Sequence, residues 1–431
     1  MLYYSTNNRQ ATTDFRGATI EGQPADKGLY FPAHLSKLAP SFIDRLQDYS
    51  RAEVALEVIR PYTGDCLPED VLKRIVAETV DFDFPLVPVT DTVFSLELYH
   101  GPTLAFKDVG ARFMSRCLGY FARGEDRPYT VLVATSGDTG GAVANAFAGI
   151  EGVSVIILYP SGKVSHVQEL QLTTFGGNIS AVEVDGSFDD CQRLVKQAFT
   201  DRDLAERYLL TSANSINVAR WLPQQFYYFF AAQQWPYKDE PPVVSVPSGN
   251  FGNLCAGLLA ANAGLPVRHF LAACNANDVV PRYLASGLYA PAQAVATLSN
   301  AMDVGDPSNF VRILELFGHD PVLIRAALSG CRIDDETTKK VVADLYNENN
   351  YLADPHGAVA YEALRQYLTA HEGGRGYFLE TAHPVKFFDA VEPVIGTAVP
   401  LPDAIKALLG KEKKATPLAA DYASFKDWLL R

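Results

Sequence analysis

Two segments of this chain share one order of elements: a buried strand, a glycine-rich turn and a helix. The first covers residues 129–148 and is followed by a further strand at 153–159, and the second covers residues 243–259. Helices and strands alternate from about residue 90 to about residue 275. This alternation predicts an α/β fold in which helices cover mostly parallel sheets. Such sheets bind ligands at the carboxyl ends of their strands, where both glycine-rich turns lie.

Both turns have the composition of an anion-binding loop. The sequence SGDTGG occupies residues 136–141, and SGNFGN occupies residues 248–253. Glycine lets backbone amides come close to an anion, and the start of the following helix adds a favourable dipole. Many glycine-rich turns are plain connectors, so either turn alone predicts a binding site and a structural turn about equally.

A lysine precedes the first of these units in an apolar setting. Lys107 ends the stretch HGPTLAFK at 100–107, just before a helix whose apolar residues recur over 111–118. Apolar surroundings and the positive end of a helix dipole both disfavour the ammonium form. An uncharged lysine can form a Schiff base with an aldehyde. The structural alternative is a solvated lysine that Asp108 neutralises.

Composition argues against several classes of protein. The 431 residues, 48% of them apolar, are enough for two to three domains with a large core. The net charge of −13 argues against nucleic-acid binding, which needs a basic face. The six cysteines form no CxxC pair and no His/Cys cluster with ligand spacing, so we expect neither a metal site nor a disulfide framework. The N-terminus lacks a signal-peptide pattern and no apolar stretch reaches membrane-spanning length, so we expect a cytoplasmic protein without a membrane partner.

Taken together, these segments resemble the pyridoxal-phosphate enzymes of fold type II (the tryptophan synthase β type), and within that group the threonine synthases. The segments that carry the resemblance are HGPTLAFKD at 100–108, ATSGDTGGAVA at 134–144, SANSIN at 212–217, VPSGNFGN at 246–253, LSNAMDVGDPSNF at 298–310 and TAHP at 381–384. They spread over most of the chain after about residue 90, and GLYFP at 28–32 also fits. The combination, in this order, is highly specific.

The resemblance implies two open, mostly parallel α/β domains with the cofactor in the cleft between them. We predict an N-terminal, mainly helical segment over residues 1–90. An α/β domain over residues 91–215 would carry Lys107 and the SGDTG loop. A larger α/β domain over residues 216–431 would carry the SGNFGN loop and Thr381.

The resemblance also implies pyridoxal 5′-phosphate as the cofactor and Lys107 as the residue that joins it and later moves protons. Backbone amides of one loop would bind the cofactor phosphate: Gly249, Asn250, Phe251, Gly252 and Asn253. Thr381 would hydrogen-bond the pyridine nitrogen and so tune the electronics of the ring. The structural alternative for Thr381 is a strand-end hydroxyl bonded to backbone.

A second loop matches the one that receives the substrate's α-carboxylate in related enzymes: Ser136, Gly137, Asp138 and Thr139. Asp138 stands where sulfhydrylase and dehydratase relatives have asparagine, whereas aspartate is usual in threonine synthases. A carboxylate beside an anionic ring oxygen would repel it unless it is protonated or turned away. For the substrate phosphate the candidates are Lys163, Asn217 and Arg220, with a surface charge or a helix cap as the alternative for each.

The implied reaction converts O-phospho-L-homoserine and water into L-threonine and phosphate, the last step of threonine biosynthesis. Such an enzyme is a lyase with a small-molecule substrate, and we expect a monomer, with a dimer as the alternative. Other readings of the same fold are a related phospho-lyase, or a serine/threonine dehydratase or sulfhydrylase. A non-catalytic binding protein that keeps the fold is a further alternative, against which the intact Lys107 argues.

Overall fold

The computed structural model describes residues 1–371 and 373–431, in which the strands form three separate sheets. In chain order the strands are β1 (Leu2–Ser5), β2 (Asn8–Asp14), β3 (Tyr30–Pro32), β4 (Leu86–Pro88), β5 (Val93–Glu97), β6 (Tyr129–Ala134), β7 (Val153–Pro160), β8 (Ile179–Asp185), β9 (Leu209–Ser212), β10 (Val243–Pro247), β11 (His269–Cys274), β12 (Leu328–Arg332), β13 (Gly376–Glu380) and β14 (Thr416–Ala419).

Helices surround these sheets. In chain order they are α1 (Phe15–Glu21), α2 (Pro40–Ile43), α3 (Arg51–Thr63), α4 (Glu69–Thr79), α5 (Lys107–Phe121), α6 (Asp138–Phe147), α7 (His166–Thr173), α8 (Phe188–Thr200), α9 (Arg202–Arg207), α10 (Val218–Trp221), α11 (Phe226–Gln234), α12 (Gly252–Asn262), α13 (Val279–Ser286), α14 (Phe310–Leu316), α15 (Pro321–Ala327), α16 (Asp335–Asn349), α17 (Pro355–Ala370), α18 (Phe388–Ile395), α19 (Asp403–Lys406) and α20 (Tyr422–Leu430). Short 3-10 helices include Leu222–Gln225, Asn300–Met302 and Pro384–Phe387. No helix in the described part of the chain is long and apolar enough to cross a membrane.

The N-terminal segment is less helical than its sequence predicts. It holds a three-stranded antiparallel sheet in the order β2-β1-β3, next to helices α1 to α4. Tyr3 of β1 is fully buried, and its hydroxyl donates to the Tyr62 carbonyl of α3 at 2.7 Å. The prediction missed these strands because they are short, and strands of three to seven residues give a weak periodic signal.

The larger sheet has the order β12-β11-β10-β13-β5-β4, and β4 is its one strand that pairs antiparallel. Its strand β5 pairs in parallel with β13, far along the chain. The predicted domain over residues 91–215 included β5 together with the strands of the smaller sheet. In the structure β5 belongs to the larger sheet, so the predicted start of that domain does not match the observed sheets. The reason is that a parallel pairing joins strands distant in sequence, and local pattern does not reveal the partner.

The smaller sheet has the order β14-β8-β7-β6-β9, and all its strands are parallel. The strand β14 returns from the C-terminal region to pair with β8. The predicted domain over residues 216–431 therefore loses residues 416–419 to the smaller sheet. The fold class itself, two mostly parallel α/β sheets covered by helices, is confirmed.

The carboxyl ends of four strands supply the predicted site segments. The loop that leads to Lys107 follows β5, and the SGDTGG turn follows β6. The SGNFGN turn follows β10, and Thr381 comes directly after β13. Because β5, β13 and β10 are successive neighbours in one sheet, three of these segments emerge at the same edge.

Candidate active site

The loop before Lys107 is fixed to the segment that contains Thr381. The Phe106 amide donates to the Thr381 carbonyl at 2.9 Å, and the His383 amide donates to the Leu104 carbonyl at 3.0 Å. Leu104 has a φ of 58°, a left-handed conformation that costs a residue with a side chain roughly 1–2 kcal/mol. These contacts place Lys107, the first residue of α5, beside the end of β13.

Asp108 is not the partner that neutralises Lys107. The Asp108 carboxylate accepts hydrogen bonds from the amide and the hydroxyl of Thr103. This closes the loop 103–108 on itself and orients the start of α5. The structural interpretation of Lys107 as a solvated lysine paired with Asp108 is therefore wrong.

Two consecutive tyrosines of α11 bind the two predicted cofactor loops. The Tyr227 hydroxyl donates to the carbonyl of Phe106, next to Lys107. The Tyr228 hydroxyl donates to Asn253, reaching its side-chain oxygen at 2.8 Å and its carbonyl at 2.9 Å. Both tyrosines are fully buried. One short helix therefore holds the lysine loop and the SGNFGN loop close together, a link that sequence motifs did not reveal.

The SGNFGN loop presents a set of unused donors. Among described residues, none of the amides of residues 249–253 donates to a protein acceptor, whereas the neighbouring Ser248 amide donates to the Ala273 carbonyl at 2.8 Å. The side-chain amide nitrogen of Asn253 is buried and also lacks a protein acceptor. Phe251, with a φ of 63°, caps the start of α12 in a left-handed conformation. Backbone strain beside unsatisfied donors is typical of a loop shaped for a ligand.

This loop is supported from the other side by the 3-10 helix Asn300–Met302. A Cβ atom at Gly249 would lie 2.7 Å from the Met302 Cα, so only glycine fits there. The Ala301 amide donates to Nε2 of His356 at 3.2 Å, which places the ring proton on Nδ1, 2.7 Å from an Asp354 carboxylate oxygen. The Asp354 amide in turn donates to the Glu380 carboxyl at 2.6 Å, beside Thr381. A buried hydrogen-bonded chain thus connects the SGNFGN loop to the end of β13.

Lys107 lies in a cleft that lowers the pKa of its amine. Burial lowers the pKa of Lys107, the Asp138 carboxylate opposes this effect, and the nearby cations Lys386 and Arg220 reinforce it. The Lys107 side chain is 19% exposed, so its amine is open to a ligand from the cleft. A lowered pKa means that a larger fraction of the Lys107 amine is unprotonated and available as a nucleophile or proton acceptor than for an ordinary surface lysine.

Asp138 is held by a lysine that the sequence reasoning missed. The Lys386 ammonium group lies 2.8 Å from Oδ1 of Asp138, and the Gln168 amide donates to the same oxygen at 2.9 Å. The Lys107 nitrogen is 4.0 Å from the other carboxylate oxygen. Burial alone would raise the pKa of Asp138, but the Lys386 ammonium group above all holds it well below its usual range. Asp138 is therefore ionised, and its charge is compensated rather than removed by protonation.

The SGDTGG turn offers fewer free amides than its motif implies. The Gly137 amide donates to the Thr135 hydroxyl at 3.0 Å, so it is already used. The amides of Ser136, Asp138 and Thr139 have no protein acceptor among described residues. Gly137 has a φ of 134°, and a Cβ there would lie 2.4 Å from the Gln168 side chain. Gly137 shapes the turn, while the amides of three nearby residues remain without a protein acceptor in the described part of the chain.

The three candidates for the substrate phosphate differ sharply. Arg220 is buried near Lys107, and its Nε lacks a protein acceptor among described residues. Asn217 is fully buried and caps α10, and its side-chain amide donates to the carbonyls of Thr19 and Ser212. Lys163 is exposed in the turn before α7. Only Arg220 combines proximity to Lys107 with an unused donor.

The residues present fit pyridoxal phosphate. The unused amides of residues 249–253 and the orphaned nitrogen of Asn253 match the many acceptor oxygens of a phosphate at a helix start. Lys107 provides a partly accessible amine for the aldehyde. Thr381 is buried and its carbonyl accepts the Phe106 amide, so it lies next to Lys107, where a partner for the ring nitrogen is expected.

Family comparisons agree along the chain. The family described as "Pyridoxal-phosphate dependent enzyme" matches residues 86–378. The families described as "Threonine synthase N terminus" and "Threonine synthase, C-terminal" match residues 2–80 and 357–429. The three matches together reach almost from one end of the chain to the other.

Individual proteins named threonine synthase are similar over the full length. The chain is 46% identical to threonine synthase of Serratia marcescens, with 100% of this chain and 99% of that relative covered. The crystal structure of threonine synthase from Escherichia coli matches with a TM-score of 0.94 at 44% identity, covering 100% of this chain and 99% of the other. The structure of PLP-bound threonine synthase from Brucella melitensis matches with a TM-score of 0.92 at 34% identity, covering 100% and 98%.

Proposed function

The chain belongs to the threonine synthase family of pyridoxal-phosphate-dependent enzymes, and from this premise we propose that its cleft converts O-phospho-L-homoserine and water into L-threonine and phosphate. The substrate is a small molecule with two anionic groups, an α-carboxylate and a phosphate. The proposal assigns a separate set of donors to each.

The observation that carries the choice of a phosphorylated substrate is the buried cation Arg220, which lies near Lys107 and whose Nε has no acceptor in the described part of the chain. Arg220 and Lys386 are buried cations near Lys107, while Asp138 is the one carboxylate within 4.0 Å of its amine in the described structure. Burial lowers the pKa of Arg220 to about 10, which still leaves it charged at neutral pH. A buried cation without a carboxylate partner is costly unless a ligand compensates it, and a phosphate does so well.

We assign the α-carboxylate to the start of α6. The free amides of Ser136, Asp138 and Thr139 point to this role because the first turn of a helix attracts anions. We assign the substrate phosphate to Arg220 and keep Lys163 as a rim residue. Asn217 is left out of the proposed contacts, since its amide group is used within the protein.

Lys107 performs the proton transfers in this proposal. When bound, pyridoxal phosphate supplies an electron-withdrawing ring that makes protons on the attached substrate carbons acidic. Lys107 takes the proton at Cα, hands it on, and, as a free amine again, takes a proton from Cβ, so that phosphate can leave from Cγ; protons are later returned to Cγ, which becomes the methyl group, and to Cα. Water finally adds at Cβ. Burial of the cleft keeps water away from the early steps, and closure of the two sheets over the substrate would complete its exclusion.

Location and assembly stay proposals as well. We propose a cytoplasmic enzyme, supported by six free cysteines and no disulfide among described residues. We propose a monomer that binds no nucleic acid, consistent with the net charge of −13. Size-exclusion chromatography with light scattering would test the monomer.

A substrate panel tests the reaction. Cofactor-loaded protein should release phosphate and threonine in equal amounts from O-phospho-L-homoserine, and it should act on serine, threonine or O-acetylserine at least about 100-fold less efficiently, because these lack the phosphate that Arg220 binds. Amino-acid chromatography and a phosphate assay measure both products. Ready turnover of serine or O-acetylserine without threonine formation from O-phospho-L-homoserine would instead support a dehydratase or sulfhydrylase.

A further inference from the structure

The pair formed by Asp138 and Lys386 lies in an unusual position for a salt bridge. Neither side chain is open to solvent: Lys386 is 0% exposed and Asp138 is 5% exposed. Replacing a buried ion pair by apolar groups of similar size is often neutral or stabilising, so stability alone does not explain its presence. The pair also joins different parts of the fold, since Asp138 begins α6 next to the smaller sheet and Lys386 follows β13 of the larger sheet.

The geometry of Lys386 directs its charge at one carboxylate. Its ammonium group contacts Oδ1 of Asp138 at 2.8 Å and donates to the Thr103 carbonyl at 2.9 Å. The Gln171 amide donates to that same carbonyl at 3.0 Å, which fixes the acceptor in place. Lys386 therefore holds a single, well-defined position between Asp138 and the loop that leads to Lys107.

The charges around Lys107 oppose one another. Asp138 of α6 and Asp354 at the start of α17 favour its ammonium form, whereas Lys386 and Arg220 of α10 disfavour it. Asp138, whose carboxylate is 4.0 Å away, is the strongest of the four. An uncompensated carboxylate at this distance would keep Lys107 protonated and unable to attack an aldehyde.

We propose that Lys386 is a positioning residue that engages the Asp138 carboxylate and so keeps the Lys107 amine available to react with an aldehyde. The inference rests on the proposed role of Lys107 as the residue that joins the cofactor. Lys386 itself touches neither the substrate nor the cofactor in this account. Its ammonium group binds Oδ1 of Asp138, whereas the Lys107 nitrogen lies nearest the other oxygen, and its own charge also disfavours the ammonium form of Lys107.

The test follows the protonation of Lys107 directly, in full-length protein freed of cofactor. Trace labelling with acetic anhydride over a range of pH, read by mass spectrometry, gives the pH midpoint at which Lys107 becomes reactive. The exposed Lys73 in the same digest serves as the reference. In the Lys386→Met variant the midpoint of Lys107 should rise by about 1–3 on the pH scale. Each pH unit below the midpoint lowers the uncharged fraction of Lys107 about tenfold. When pyridoxal phosphate is added at a pH below both midpoints, the visible absorbance of the variant should therefore return at least about tenfold more slowly than that of the wild type.

Matched variants separate this role from a structural one. Lys386→Arg keeps the charge and should keep the midpoint, and Lys406→Met removes an exposed lysine paired with Asp403 and should also leave it unchanged. Lys386→Met leaves a buried carboxylate unpaired and risks poor folding, so the double variant Asp138→Asn with Lys386→Met is the second test. It removes both charges, and the midpoint should return close to that of the wild type.

Two results would overturn the proposal: an unchanged Lys107 midpoint in folded Lys386→Met protein, or a raised midpoint that persists in the double variant. Circular dichroism establishes that each variant is folded. Failure of the proposed function is distinguishable, because borohydride mapping of the cofactor onto another lysine would remove Lys107 from its role whatever its midpoint.

Discussion

Lys107→Ala should abolish both the visible absorbance of bound cofactor and threonine formation, the largest effect we expect from any single substitution. The variant loses an amine that is partly open to the cleft and next to Thr381. Lys107→Arg should not restore either signal, since a guanidinium stays protonated and cannot join an aldehyde. Absorbance spectra of the purified protein with added pyridoxal phosphate, followed by the product assay, measure both effects.

The decisive control uses the second lysine of the cleft. Lys386 contacts the same carboxylate as Lys107, but its side chain is 0% exposed, whereas that of Lys107 is 19% exposed. Borohydride reduction of the cofactor-loaded wild type, followed by peptide mapping, should therefore label Lys107. A label on Lys386 or on a surface lysine would refute the assignment. Lys73→Ala, at an exposed position of α4, should behave as the wild type.

Gly252→Asp should weaken the binding of pyridoxal phosphate by about 100-fold or more. The new carboxylate would lie at the first residue of α12, beside the free amides that we assign to the cofactor phosphate. Two like charges near a protein surface repel by about 4 kcal/mol at 4 Å. Titration followed by absorbance or fluorescence gives the dissociation constant.

Gly252 is a cleaner position for this test than Gly249. The nearest atom to a Cβ at Gly252 would be Nδ2 of Asn309, at 3.4 Å, whereas a Cβ at Gly249 would lie 2.7 Å from the Met302 Cα. Gly252→Asn is the uncharged control of equal size, and it should weaken binding far less. Pyridoxal, which lacks the phosphate, should bind the two variants equally. Equal loss of pyridoxal and pyridoxal phosphate affinity in Gly252→Asp would show that the loop does not hold the phosphate.

The local elements of the fold were predictable because their signals are local. The buried run of β6 and the glycine turn before α6 appear directly in the sequence, as does the strand before the SGNFGN loop. The partners of strands were not predictable in this way. The strand β5 pairs with β13, and β14 pairs with β8, across more than two hundred residues in each case. Tertiary packing decides such pairings, and the single sequence carries no local trace of them.

The site shows the same division. The motifs located Lys107, the free amides of the SGNFGN loop and the position of Thr381, all of which lie on contiguous segments. They did not reveal Lys386, only two residues beyond the TAHP segment, although a lysine inside the apolar run from Val385 to Phe388 is a sign of a buried charge. They also left open how the cleft tolerates the Asp138 carboxylate. The Asp138 charge is compensated by the ammonium group of Lys386, which follows a strand of the other sheet, and this contact is visible only in the folded chain.

The most direct test of the account is turnover of O-phospho-L-homoserine in water enriched in the heavy oxygen isotope. Loss of phosphate from Cγ with addition of water at Cβ breaks a carbon–oxygen bond, so the heavy oxygen should appear in the hydroxyl group of threonine and not in the released phosphate. Mass spectrometry of both products decides the question. Homoserine together with heavy-oxygen phosphate would mean simple hydrolysis of the ester at phosphorus, and it would contradict the proposed reaction.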